Sequence, residues 1–247
     1  MPGYNGKDKV ALVTGATGGI GGAAVKLFRA AGTTVIATGR DQHKVEELFR
    51  NDAQVLAIEG DFSSEQSARR AVATAMGRYG RIDHVIHCAG AVSKGRIEET
   101  SLEEWHRQLD VNLTSAFLLC RETYDALKAS KGCVVLLSST NGIHGGTAVS
   151  GLPYAVAKAG VINLTRYLAK EWAPDGIRVN CVMPGPVDTP MLDRLTPEQH
   201  ERTKAATLLG RYSTAEECAG MIVHLCSDYA TSMTGTVSNV SAGNVLD

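Results

Sequence analysis

Short apolar runs alternate along this chain with longer stretches in which apolar residues recur at helical spacing. Runs at 10–14, 33–38, 54–58, 82–88, 133–138, 177–182 and 236–240 are rich in valine, isoleucine and leucine and are bounded by turn-forming residues, the pattern of strands buried on both faces. Their alternation with amphipathic segments predicts an α/β fold: a doubly wound, parallel, seven-stranded sheet with helices on both faces.

The intervening helices carry start and stop signals. Ser101-Leu-Glu-Glu104 and Thr214-Ala-Glu-Glu217 fit the capping box, and Thr196-Pro-Glu-Gln199 adds proline at the first helical position. Another helix begins near Pro153 and ends at Pro174-Asp175-Gly176. Neither a linker nor a repeat nor a charge run interrupts the sequence, so residues 1–247 are expected to form one domain.

Composition narrows the function. Twenty-five lysines and arginines against 26 aspartates and glutamates give a net charge of −1, so neither nucleic acid nor an anionic membrane is an expected partner, and a small molecule is. The N-terminal stretch lacks the apolar core of a signal peptide, and no uncharged run reaches the roughly 20 residues of a membrane span. Six scattered cysteines without Cys-x-x-Cys spacing suit a reducing, cytoplasmic setting. Seven histidines form no metal-ligand pattern, and no metal is expected; His144 draws notice because it lies between the serines and the tyrosine described next.

Two constellations carry chemistry. After the first strand the chain reads Thr14-Gly15-Ala-Thr17-Gly18-Gly19-Ile20-Gly21 and enters a helix. Glycines there allow close backbone approach to a pyrophosphate, and the helix N-terminus offers free N–H groups and the positive end of its dipole. At the end of the second strand, where an acidic residue would hold a ribose 2′-hydroxyl, stand Gly39 and Arg40; a guanidinium suits a 2′-phosphate, which favours NADP(H) over NAD(H). Asp41 reads as the cap of the next helix. The second constellation is Tyr154 and Lys158, one helical turn apart, with Ser138-Ser139 upstream. It offers a phenol acid/base beside a fixed cation.

Thr14-Gly-x-x-x-Gly-Ile-Gly21, Asp61, Ala89-Gly90, Asn112, Ser139, Tyr154-x-x-x-Lys158 and Pro184-Gly185-Pro-Val-Asp-Thr189, in this order, resemble the short-chain dehydrogenase/reductase family, with its Rossmann-like fold. In wording the chain is most similar to bacterial 3-oxoacyl carrier-protein reductases and related ketone reductases. The resemblance implies that Tyr154 gives a proton to a carbonyl or takes one from an alcohol. It implies that Lys158 lowers the phenol's pKa and holds the nicotinamide ribose, that Ser139 binds the substrate oxygen, and that Asn112 supports a water-linked proton path. It also implies that Gly15, Thr17, Gly18, Gly19, Ile20 and Arg40 hold the cofactor phosphates, and that Asp61 and Phe62 hold its adenine. Ala89, Gly90, Asn112, Tyr154, Lys158, Pro184, Gly185, Val187 and Thr189 would line its nicotinamide half.

The chain departs from the family in places. Cys88-Ala89-Gly90 replaces Asn-Ala-Gly, the segment between Ser139 and Tyr154 is a couple of residues long, and Val240-Ser-Ala-Gly243 only echoes the terminal motif. The longer segment leaves Ser138 open as an alternative to Ser139. Asp61 has helix capping as its alternative role. Residues 190–212 are expected to form a substrate lid, and Asp175, standing where a carrier-protein reductase presents a basic residue, argues against an acidic carrier. These features give a ketone reductase using NADP(H). The alternatives are an NAD-dependent dehydrogenase of secondary alcohols or diols and a non-catalytic dinucleotide-binding regulator. Apolar residues Phe117, Leu118, Leu119, Val161, Ile162 and Leu164 on the helices of Asn112 and Tyr154 fit the family's homodimer or homotetramer interface.

Overall fold

The computed structural model describes residues 3–147 and 149–246. The apolar runs form strands β1 (Val10–Thr14), β2 (Thr34–Gly39), β3 (Val55–Glu59), β4 (His84–His87), β5 (Cys133–Leu137), β6 (Arg178–Pro184) and β7 (Val237–Val240). They pair in parallel in the order β3-β2-β1-β4-β5-β6-β7, the expected seven-stranded, doubly wound sheet. Strand limits differ from the apolar runs because pairing, not hydropathy, sets them. The run at 82–88 contracts because its register with β1 begins at His84 and ends at His87, and β6 extends to Pro184 because β7 pairs with it as far as Val240.

Side-chain alternation divides the core in two. Leu12, Val85, Val134 and Leu136 enter one cluster, whereas Val13, Ile86, Val135 and Leu137 enter the other. Helices α3 (Glu65–Tyr79), α5 (Ser115–Ser130) and α7 (Leu152–Trp172) cover the first face with Val72, Leu119, Leu127 and Trp172. Helices α1 (Gly19–Ala30) and α9 (Ala215–Leu225) cover the second with Phe28, Ile222 and Val223, and α2 (Gln42–Phe49) adds Val45. Each fully buried side chain of this size stabilises the fold by about 1.5–3 kcal/mol.

The remaining helices are α4 (Leu102–Leu109), α6 (Asn141–His144) and α8 (Pro197–Ala205). The reciprocal capping boxes form at Thr196 with Gln199 and at Thr214 with Glu217. The box read at Ser101 forms only by half. Ser101 accepts from the Glu104 amide, but Glu104 turns its carboxylate to Arg107 and Gln108. Asp41 caps α2 as expected. Asp61 does not cap α3, which Ser64 does; Asp61 instead accepts from the backbone N–H and hydroxyl of Ser63.

The helix opened by Ser101 is not uniform either, since between α4 and α5 residues Asp110–Thr114 form a π-helical turn with Asn112 at its centre. The apolar positions read as an outer face also resolve differently. Leu118, Leu119, Val161 and Ile162 belong to the core, Leu164 packs against it, and only Phe117 is exposed. One parallel sheet fully covered on this face requires more apolar surface from α5 and α7 than their periodicity suggests. No described helix is long and apolar enough to cross a membrane.

Candidate active site

One cleft of about 840 Å³ opens along the carboxyl ends of the strands and runs from β2 to α8. In doubly wound sheets that edge, near the reversal of strand order beside β1 and β4, is where ligands bind. The glycine turn forms the cleft's floor on the β1 side. Gly15 has φ +65°, and a Cβ there would lie 2.8 Å from the Ala89 backbone nitrogen, so only glycine fits without strain. A Cβ at Gly21 would strike the Gly15 carbonyl, and one at Gly19 would strike the Thr189 methyl. Thr14 ties the turn to the next strand by accepting from the Ala89 amide at 3.2 Å. Gly18 begins α1 without any side-chain cap, leaving the helix's first N–H groups to face the cleft that Thr17, Gly18, Gly19 and Ile20 line. This cradle, which a Cβ would fill, fits a dinucleotide pyrophosphate.

Further along the same wall stand Arg40, Asp61 and Phe62. Arg40 is exposed, and Gly39 before it is confined by Val45 and Thr17. Phe62 is buried with its ring against Gly60. At the opposite end Ala89, Gly90, Pro184, Gly185, Val187 and Thr189 complete the lining. The Gly185 backbone presses so closely on Ser241 that a Cβ would come within 2.9 Å, and Val187 bridges to Ser213.

Helix α7 brings Tyr154 and Lys158 to the cleft on one face, with the Lys158 Nζ 5.7 Å from the centre of the phenol ring. Both side chains are buried. Burial raises the Tyr154 pKa above that of a free phenol, opposed by a hydrogen bond with Ser139 and by the positive charge of Arg194. Burial also lowers Lys158 to about 8, although its ammonium still donates to the Leu137 carbonyl at 2.8 Å. Arg194, beyond the Pro190 turn, thus adds a positive charge near the phenol that sequence spacing did not reveal, besides Lys158 on the same helix.

The two serines take different places. Ser138 donates to the Lys158 backbone carbonyl at 2.7 Å, fastening β5 to α7. Ser139 lines the cleft beside the phenol and accepts from the Asn141 amide at 3.2 Å. Ser138 thus spends its hydroxyl on the helix backbone, and Ser139 keeps its hydroxyl beside the phenol in the cleft.

Asn112 stands behind the wall and not in it. Its amide nitrogen donates to the Ala91 carbonyl at 2.9 Å and to the Gln108 backbone and side-chain oxygens, both at 3.0 Å, while its oxygen accepts from the Ala91 amide at 3.3 Å. The π turn aims this side chain at the strand-end loop. A Cβ on Gly90 would lie 2.8 Å from the Asn112 oxygen and 3.5 Å from the Lys158 Nζ, so these three groups share one junction. Cys88, in the place of the family's asparagine, is pushed up to about 12 by burial and packs with apolar neighbours, which makes it inert spacing material.

Sequence reading missed several lining residues. Arg194 and Leu195 after the Pro190 turn, Gln199 and Arg202 on α8, and Asn141 on α6 all face the cleft. Only an arginine among apolar lid residues carried a signal. His144 is exposed at the rim, accepting from the Gly146 amide through Nδ1. Asp175 is not the free negative charge read from sequence: Lys128 pairs with it at 2.8 Å and Tyr124 donates to it at 2.6 Å. Its argument against an acidic carrier therefore loses force.

A sequence profile described as Enoyl-(Acyl carrier protein) reductase matches residues 15–244. A Streptomyces virginiae protein named for the ketoacyl reductase of a monensin polyketide synthase is 39% identical, over 96% of this chain and 97% of its own. The 3-oxoacyl-acyl-carrier-protein reductase of Aquifex aeolicus is 36% identical, over 96% and 97%. A solved structure from Brucella melitensis, titled short-chain dehydrogenase/reductase, glucose/ribitol dehydrogenase, superposes with a TM-score of 0.93 at 32% identity and covers 99% of both chains.

Proposed function

The chain belongs to the short-chain dehydrogenase/reductase family of NAD(P)-dependent oxidoreductases, and from that premise we propose that it is an NADP(H)-dependent ketone reductase. The observation that carries this reading is the Ser139, Tyr154 and Lys158 cluster facing one cleft with the glycine cradle. When bound, the nicotinamide cofactor supplies the hydride, and the protein supplies orientation and a proton.

Tyr154 serves as the general acid towards the carbonyl oxygen. A buried phenol with a raised pKa stays protonated at neutral pH, the form that reduction requires. Ser139 holds the same oxygen by a hydrogen bond, and the neighbouring positive charges stabilise the alkoxide as it develops. Lys158 orients the ribose, and Asn112 keeps the Gly90–Ala91 loop at the height the nicotinamide needs. The cradle at Gly15, Thr17, Gly18, Gly19 and Ile20 holds the pyrophosphate, Asp61 and Phe62 flank the adenine, and Pro184, Gly185, Val187 and Thr189 flank the carboxamide. Arg40, exposed at the adenosine end, supports the choice of NADP(H) over NAD(H).

The relatives' names place 3-oxoacyl groups among the substrates of this family branch, so a ketone with a second carbonyl function nearby is the class we assign. Leu102, Phe117, Val156 and Tyr167 are exposed on α4, α5 and α7, which supports assembly as a homodimer or homotetramer. A cytoplasmic location and a single functional domain complete the reading.

Following NADPH absorbance with a 3-oxo ester tests the mechanism. Tyr154→Phe is expected to lower kcat by about 10²–10⁴-fold, the usual worth of a general acid. Undiminished turnover in that variant would remove Tyr154 from the chemistry.

A further inference from the structure

We propose that Arg194 is a carboxylate-binding residue of the substrate pocket, and that the ketone reduced here carries an ionised carboxylate close to its carbonyl. This rests on the ketone-reductase reading above and narrows its substrate class to oxo acids, as distinct from neutral ketones and thioesters.

The lid places Arg194 between the Pro190–Leu192 turn and α8, where it lines the cleft within electrostatic reach of the Tyr154 phenol. Its backbone is held from one side, where Lys94 donates to the Arg194 carbonyl at 3.5 Å. Its side chain is held from the other, where Nη1 donates to the Val149 carbonyl. That leaves the Nε–Nη2 edge, and Nε is buried without any hydrogen-bond partner. A buried N–H left unpaired is unfavourable, so the edge is built for an acceptor that arrives with the ligand. Two parallel N–H groups on one edge of a planar guanidinium match the two oxygens of a carboxylate.

Charge balance points the same way. Among the described residues no carboxylate pairs with Arg194. Among the described residues Asp61, at the adenosine end, is the sole acidic one lining the cleft, whereas Arg202 on α8 adds a second positive charge near the lid. A negative group beside the reacting carbonyl would neutralise Arg194, satisfy its free edge and hold the ketone oxygen towards Ser139 and Tyr154.

Calorimetric titration of the full-length protein, loaded with NADP⁺, tests this with acetoacetate against its methyl ester. Acetoacetate is expected to bind at least tenfold more tightly than the ester, and Arg194→Gln is expected to erase that difference while leaving the ester's affinity within threefold. Equal binding of acid and ester by the unaltered protein overturns the proposal, as does an equal loss for both ligands in Arg194→Gln, which would make Arg194 only a lid latch. Should Arg194→Gln fail to fold, Arg194→Lys and salt dependence decide. A single-point cation should bind the acid less tightly than arginine does, and the acid preference of the unaltered protein should weaken at high salt; a preference indifferent to both counts against the proposal. Carboxylate preference without NADPH-linked reduction of either compound would leave Arg194's role standing and sink the ketone-reductase reading instead.

Discussion

Lys158 is held as a buried cation at a thermodynamic disadvantage. Its pKa falls from 10.5 to about 8, so at neutral pH the folded chain carries a charge that burial disfavours by about 3 kcal/mol. The unfolded chain binds the extra proton between pH 8 and 10.5, and this residue's contribution to stability therefore rises with pH across that window. Lys158→Met, measured without added nucleotide at pH 7, is expected to resist urea better by roughly 1–2 kcal/mol after the lost Leu137 hydrogen bond is discounted, while hydride transfer is lost. A destabilised Lys158→Met would show that the ammonium supports the fold. Arg40 makes the opposite case, an exposed group whose loss should leave the melting curve unmoved. Arg40→Ala is expected to reduce the NADPH-over-NADH ratio of kcat/KM by about 10–100-fold, the worth of a charge-assisted phosphate contact. An unaltered ratio would remove Arg40 from the 2′-phosphate site. At this scale the sequence was most legible where a residue type has one use: glycines at the first turn, a tyrosine one turn from a lysine. It was least legible at Ser138 and Ser139, whose separate roles depend on whether the side chain meets the Lys158 carbonyl or the phenol, a matter of strand twist that spacing does not encode.

Elements add constraints that single residues do not reveal. Asparagine is a poor helix former, and the π turn at Asp110–Thr114 accounts for its presence: the widened turn swings Asn112 inward to close both hydrogen-bonding groups of Ala91. Asn112→Leu keeps the approximate volume but leaves the half-buried Ala91 amide and carbonyl, and the Gln108 oxygens, without this partner. It is expected to lower stability by about 2–4 kcal/mol, readable as a shifted urea midpoint, and a midpoint unchanged within error would mean that water replaces the side chain. The cap grammar was legible at Thr196 and Thr214, where Gln199 and Glu217 reach back to the cap amides, Glu217 even while it pairs with Arg211. At Ser101 it was legible only by half, since Arg107 and Gln108 compete successfully for Glu104. Amphipathic periodicity located α5 and α7 but could not say which apolar residues the sheet consumes. That depended on how closely the helices settle onto strands lined with valine and leucine, and the result left Phe117 outside while Leu118, Leu119, Val161 and Ile162 went in.

Over the whole molecule, the sheet order and the cleft at its carboxyl edge were foreseeable from alternating strands and helices, whereas the lid's approach to α7 was not, because no local pattern links Arg194 to Val149. The interior also sets an acid limit. His84 and His87 lie on β4 inside the two-sided core, and burial lowers them to about 4 and about 3. His87 bonds to Ser115 at 2.8 Å, and His84 packs against Tyr4 and Phe28, which also touch each other. The unfolded chain takes up these protons below about pH 6.5 while the folded chain refuses them, so stability falls as pH drops from 6.5 towards 4. Each histidine is expected to account for about 2 kcal/mol of that loss at pH 5. Urea midpoints at pH 7 and pH 5 should converge in His84→Leu relative to the unaltered protein; equal slopes would mean that His84 remains solvated. One close contact carries a different lesson. A Cβ on Gly142 would come within 2.7 Å of the Lys158 backbone, and Ser138 fastens that same peptide to β5, so β5, α6 and α7 are locked together before the long segment towards Tyr154 has properly begun. Chain added between that lock and α7 would lengthen the cleft rim to which Thr147, Val149 and Ser150 contribute. The rim can therefore be remodelled for a different substrate while the lock keeps Ser139 and Lys158 in register.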